Sequence, residues 1–208
     1  MLTPKQIRVF EAFMRKPYKG LTYRDIKEYS KEKSNSGVQK AVARFLSDDL
    51  IIKTEVGNNY VYFANLKNTV VFSYFGIMVK EIMPSSVIIS LRIVKEELSS
   101  IGFKSIVIFG SYADGKHREK SDLDIAVFVN SQEDKRTCSL ALKTAGLKSL
   151  LQIDAHVFTR DEMLLMLKDR HENLGKQIAC KHIAVCNPEI FYSILQEGIE
   201  NGFKVVYP

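Results

Sequence analysis

The sequence predicts an α+β protein in two parts, and three observations carry that prediction. Capping signals and apolar residues at helical spacing fill residues 1 to 50. A turn-forming trio, Gly57-Asn58-Asn59, then separates two extended runs. Further along, the apolar, β-branched stretches Ser105 to Phe109, Ser121 to Val129 and Leu150 to Phe158 read as strands set among helices.

Taken in order, Thr3-Pro4-Lys5-Gln6 combines an N-cap, a proline at the first helical position and a capping-box glutamine, ahead of Ile7, Phe10, Phe13 and Met14. A first helix therefore starts near residue 4. Thr22 caps a second helix, with Asp25 in its first turn and Leu21 spaced to meet Ile26. A third is expected from Ser36, with Gln39 closing its capping box and Val38, Val42 and Phe45 buried. The runs Ile51 to Val56 and Tyr60 to Ala64 then form a hairpin. Three helices followed by a hairpin resemble a winged helix-turn-helix DNA-binding domain over residues 1 to 65. The resemblance implies that the third helix enters the major groove of duplex DNA with Gln39, Lys40 and Arg44 exposed, while Lys53, Asn58 and Asn59 approach the backbone or minor groove. Charge agrees with an acidic partner: residues 1 to 65 hold twelve Lys and Arg against seven Asp and Glu, most of the chain's net charge of +6. Winged helices also serve in dimerisation and protein docking.

Residues 66 to 84 connect the two parts. Val70, Val71, Tyr74, Met78 and Ile82 fit a helix too apolar for an exposed linker, so it packs between domains or forms a homodimer seam. After Pro84, the residues Val87, Ile88, Leu91, Val94 and Leu98 lie at helical spacing.

The chemistry is concentrated between Gly110 and Asp154. The strand Ser105 to Phe109 ends at Gly110, where a tight turn leads to Ser111 and a short helix, and unpaired N–H groups at such a junction suit a phosphate. In Ser121 to Val129, the two-residue repeat puts Asp122 and Asp124 on one face and Leu123, Ile125 and Val127 on the other. Adjacent like-facing carboxylates repel unless a hard cation such as Mg²⁺ lies between them. Asp154, in the alternating strand Leu150 to Phe158, is the third acid, with His156 two positions on. In a two-ion scheme Asp122 and Asp124 hold both metals, and Asp154 holds the ion beside the attacking hydroxyl and takes its proton.

The stretch GSYADGKHREKSDLDIAVFV, together with Asp154, resembles the small, minimal branch of the DNA polymerase β-like nucleotidyltransferases over residues 85 to 208. That resemblance implies a mixed β-sheet flanked by helices, dependence on two Mg²⁺ ions, and transfer of a nucleoside monophosphate from an NTP, with ATP the expected nucleotide. It carries Gly110 and Ser111 over as phosphate-binding residues and Asp122, Asp124 and Asp154 as catalytic metal ligands. Small relatives include antibiotic-modifying enzymes and antitoxins that adenylylate a HEPN-type toxin, so a protein hydroxyl, an RNA end or a small molecule is the implied acceptor. One departure stands out: Asp114 occupies a position that is usually basic. Lys116, His117, Arg118 and Lys120 either compensate or form a solvated loop.

A charged helix is expected around Arg160 to Lys168, then a segment from Asn173 to Val185, then a helix from Pro188 through Gly198. Lys176 and His182 are nucleotide contacts or ordinary surface and core residues. Three cysteines, Cys138, Cys180 and Cys186, lack a disulfide framework, and the spacing of Cys180, His182 and Cys186 matches no standard zinc finger. With no signal-peptide pattern and no apolar stretch longer than Val70 to Val79, a cytoplasmic protein that does not span a membrane is expected. A different class of function also fits: a DNA-binding transcriptional regulator whose transferase fold senses nucleotide or binds a partner without turnover.

Overall fold

The computed structural model describes residues 1–206, which divide into two compact units, residues 1–78 and 79–206. Among the described residues no helix is long and apolar enough to cross a membrane.

The first unit opens with α1 (Pro4–Arg15), α2 (Tyr23–Tyr29) and α3 (Asn35–Ser47). Capping boxes at Thr3 with Gln6 and at Thr22 with Asp25 satisfy amide groups left over at the first turns of α1 and α2. The cap of α3 is Ser34, whose hydroxyl accepts from the Gly37 amide, and not Ser36 as expected. Two serines two positions apart both satisfy the local pattern, and the chain takes the earlier one. Strands β1 (Ile51–Val56) and β2 (Asn59–Ala64) pair antiparallel from Ile51 with Ala64 to Val56 with Asn59, leaving Gly57, at φ +59°, and Asn58 as the turn. Leu21 adds an isolated bridge to Tyr62. The core is aromatic: the Phe10 ring lies 5.0 Å from Phe45 and 5.6 Å from Phe13. Helix α4 (Val70–Ile82) supplies Tyr74 and Phe75 to the same cluster, at 6.1 and 5.9 Å from Phe10, and the Tyr74 hydroxyl accepts from the Leu2 amide. Val71, Tyr74 and Met78, which carried the apolar spacing, belong to the first unit and are buried, while Val70 is exposed.

The second unit is a four-stranded mixed sheet with helices. Its elements are α5 (Ser85–Glu97), β3 (Lys104–Phe109), α6 (Gly110–Asp114), β4 (Leu123–Val129), α7 (Gln132–Lys148), β5 (Ile153–Thr159), α8 (Arg160–Lys168), α9 (Leu174–Cys180), β6 (His182–Cys186) and α10 (Pro188–Glu200). The strand order is β5-β4-β3-β6. β3 runs antiparallel to β4 and to β6, while β4 and β5 are parallel, joined by the helical crossover α7 that such a pair needs. β4 is covered on both sides, so Ala126 and Phe128 are as buried as Ile125 and Val127. Strand β6 falls inside a segment that sequence left unassigned. It is held by the hydrogen bond from Ser105 Oγ to the Cys186 carbonyl and by Asn187, which donates to the Lys104 carbonyl.

These directions have one consequence for function. The C-terminal end of β3 and the N-terminal ends of β4, β5 and β6 all lie at the same end of the sheet. Phe109 pairs with His182, Asp124 pairs with Asp154, and Ile108 pairs with Ile125, one step inward. The polar sequence motifs therefore meet along one sheet end, although they are far apart in the chain.

Candidate active site

Gly110 makes the β3–α6 junction at φ +65°, a left-handed conformation natural to glycine. The absent side chain matters as much as the backbone angle. A Cβ there would lie 2.0 Å from Asp124 Oδ2, so the Gly110 backbone and the Asp124 carboxylate are in direct apposition. The Ser111 amide hydrogen-bonds the same carboxylate. Helix α6 is a five-residue turn closed by Gly115 at φ +71°, and the loop beyond it folds back. The His117 ring stacks on Tyr112 at 4.4 Å, and the Arg118 amide donates to Ser121 Oγ. That return brings Asp122 to the sheet. Asp122 lies one residue before β4 rather than within it, exposed, and its Oδ2 accepts from Gln152 Nε2 at 3.3 Å.

Asp124 and Asp154 are register partners on the parallel β4–β5 pair, so their side chains share a face. Burial first, and then the nearby Asp154 and Asp122 charges, push the Asp124 carboxyl above the usual carboxylate range; the Ser111 amide and His156 act against this. His156 Nε2 is 3.4 Å from Asp154 Oδ1, and its ring stacks parallel to Phe158 at 6.2 Å. The aromatic stack restricts the imidazole beside the acid. Among the described residues no group of three or more His, Cys, Asp or Glu side chains is placed to hold a metal ion. The oxygen donors are of the kind a hard divalent cation takes: carboxylates on adjoining chain segments, one of them held above its usual range by burial and by its neighbours' charge.

A cavity of about 760 Å³ lies beside this cluster, lined by Gly110, Ser111, Asp114, Asp124, Lys116 and Lys181 among others. Asp114 is not an isolated acid in this wall. Its Oδ2 meets Lys116 Nζ at 2.9 Å and Lys181 Nζ at 3.4 Å. Burial would raise its carboxyl, but the two lysines bring it below the ordinary range. Lys176 and Lys204 also line the cavity. Sequence reasoning missed Lys181 and Lys204, because only the position of β6 and the chain after α10 brings them here. His182, read as a nucleotide contact or a core residue, is core: it is 2 % exposed, and its Nδ1 approaches the Ile178 and Ala179 carbonyls at 3.0 and 3.1 Å.

In the first unit, Gln39, Lys40 and Arg44 are exposed on α3, and Lys53, Asn58 and Asn59 are exposed on the hairpin. Two of the cations have partners of their own. Arg44 Nε lies 2.7 Å from Asp48 Oδ2, and Lys53 Nζ sits 3.5 Å above the Tyr60 ring. Lys40 joins Lys5 and Gly37 in lining a shallow cavity between the start of α1 and the start of α3.

Comparison with known proteins bears on the second unit. Residues 91–192 match the family described as Nucleotidyltransferase domain. No curated protein sequence matches the chain. Among solved structures, one titled "Crystal structure of the toxin-antitoxin with AMP-PNP" is similar at 20% identity and a TM-score of 0.34, over 56% of this chain and 83% of that one. Residues 91–192 carry a nucleotidyltransferase domain, and the enzyme is a transferase of that class.

Proposed function

We propose that this enzyme transfers a nucleoside monophosphate from ATP to an acceptor hydroxyl in a Mg²⁺-dependent reaction at the sheet end that carries Asp122, Asp124 and Asp154. The observation that carries the reading is the apposition of Asp124 to both the bare Gly110 backbone and its register partner Asp154. Asp122, Asp124 and Asp154 are the residues that would hold Mg²⁺, which when bound supplies positive charge to the phosphate oxygens of the substrate. Gly110 and Ser111 line the cavity beside Asp124 and are the residues that would meet a phosphate there. The acceptor oxygen attacks the α-phosphorus, the bond to the bridging oxygen breaks, and pyrophosphate departs. Asp154, exposed at the edge strand with His156 beside it, is the base within reach of an incoming hydroxyl.

Incubating the full chain with Mg²⁺ and α-labelled ATP, alone and with cell lysate, tests the chemistry and captures an acceptor together. Asp122→Ala combined with Asp124→Ala should abolish label transfer. Transfer that survives both changes would overturn the site assignment.

For the first unit we read a winged helix that binds duplex DNA through α3 and the β1–β2 turn. Support comes from the three-helix and hairpin order, the exposure of Gln39, Lys40 and Arg44, and the excess of basic residues. Affinity should fall steeply with salt, and Lys40→Ala with Arg44→Ala should reduce the slope of log K against log salt by about 2. An unchanged slope and unchanged low-salt affinity would remove this face from consideration. Loss of a dimer on deleting residues 1 to 65, with no DNA affinity in the intact chain, would instead make the unit a dimerisation module.

A further inference from the structure

The family resemblance sets a basic residue where this chain has Asp114, and taken alone the replacement puts a negative charge into a wall meant for phosphate. The structure reverses that reading. Both lysines at Asp114 approach the same oxygen, Oδ2, so the trio carries a net positive charge at neutral pH. Lys116 comes from the adjoining turn and is 76% exposed, whereas Lys181 comes from 67 positions further along and is 38% exposed. Lys181 is the last residue before β6, and β6 begins at the partner of Phe109, the residue that precedes Gly110. Sheet topology therefore fixes where the Lys181 backbone stands, and Asp114 fixes where its ammonium group stands. An ammonium has three donors, so one bond to Asp114 leaves two for a ligand in the cavity that both residues line.

We propose that Lys181, positioned by Asp114, is the cation that binds the nucleotide's polyphosphate in this enzyme, replacing a basic side chain at position 114 with one borrowed from the start of β6. The inference rests on the nucleotidyl-transfer reading and identifies which residues of this chain recognise the leaving pyrophosphate. Lys181 is the binding residue and Asp114 a positioning residue. Placing the cation on a rigid strand entry holds it ready for charge that builds on the leaving group.

Equilibrium binding of ATP and of AMP to the full chain in Mg²⁺ tests it, with steady-state transfer as a second measurement. Lys181→Ala should weaken ATP binding about 10- to 100-fold and leave AMP binding nearly unchanged, because AMP lacks the phosphates concerned. Lys181→Arg should restore most of the loss. Asp114→Asn gives the decisive sign. If Asp114 merely repelled phosphate, removing its charge would tighten ATP binding; if it positions Lys181, ATP binding weakens, by about 3- to 10-fold, with KM rising more than kcat falls. Unchanged ATP affinity in Lys181→Ala, or tighter binding in Asp114→Asn, overturns the proposal while leaving the acid assignment intact. A wild-type chain that binds neither nucleotide overturns both. Thermal unfolding midpoints within a few degrees of wild type establish that each variant is folded.

Discussion

Gly110 is the residue at which shape and chemistry are least separable. An alanine there meets two penalties, the left-handed backbone angle and a Cβ 2.0 Å from Asp124 Oδ2. Gly110→Ala should cost about 1–2 kcal/mol in denaturant unfolding and, by turning the Asp124 carboxylate away, lower kcat/KM by about 100-fold or more. Gly146 of α7 is the control, since a Cβ there meets nothing within 4 Å and the same substitution should leave transfer unchanged. The turn at Gly110 and the strand around Asp124 were legible because a chain reversal and a strand period are local properties, whereas Asp122, expected in the same strand, lies one residue before it. What Asp114 meets was not legible. A sequence displays the sign of a side chain at 114, but the lysine that meets it stands at 181, and only the fold joins them.

At the scale of elements, capping chemistry located α1 and α2 and failed by two residues at α3, where competing serines offered equal caps. The hairpin was readable from its turn trio. Strand β6 was not, because His182 to Cys186 is a five-residue run between helices, too short for its period to distinguish strand from helix even with Asn187-Pro188 after it. That strand carries a pH liability. His182 is enclosed by α9 and by Phe191 and Tyr192, with ring centroids 4.7 and 5.4 Å away, and burial pushes its imidazole down to about 4 despite the Ile178 and Ala179 carbonyls. The folded value is lower than the unfolded one of about 6.5, so the unfolded chain takes up the proton first as pH falls. Stability contributed by neutral His182 is present above pH ~6.5 and is lost progressively down to pH ~4, on the order of 3 kcal/mol. Urea unfolding at pH 7 and pH 4.5 should show a larger acid loss in wild type than in His182→Gln, which keeps an N–H donor and cannot titrate. Equal losses in the two proteins would mean that His182 is not the titrating group.

At the scale of the molecule, the sequence changes pattern, from helical periodicity with a basic excess to strands interrupted by polar loops. The boundary between the compact units falls at Met78 and Val79, inside α4, where the apolar pattern of the helix runs on without a break. Composition carries no mark at such a point, since Tyr74 and Phe75 are core residues of the first unit and the helix continues past them. The candidate active site belongs wholly to the second unit, and it is assembled from four chain segments: residues 109 to 116, 122 to 124, 154 and 181. The meeting of four strand ends has a consequence in time as well as in space. During synthesis β6 emerges after the other five described strands, once the acids and the glycine turn have left the ribosome, so the cavity wall stays open until His182–Cys186 has followed them. On the assignment proposed for Lys181, a growing or truncated chain with every acid in place would still hold nucleotide poorly, and the appearance of tight ATP binding would mark the moment at which the last strand docks.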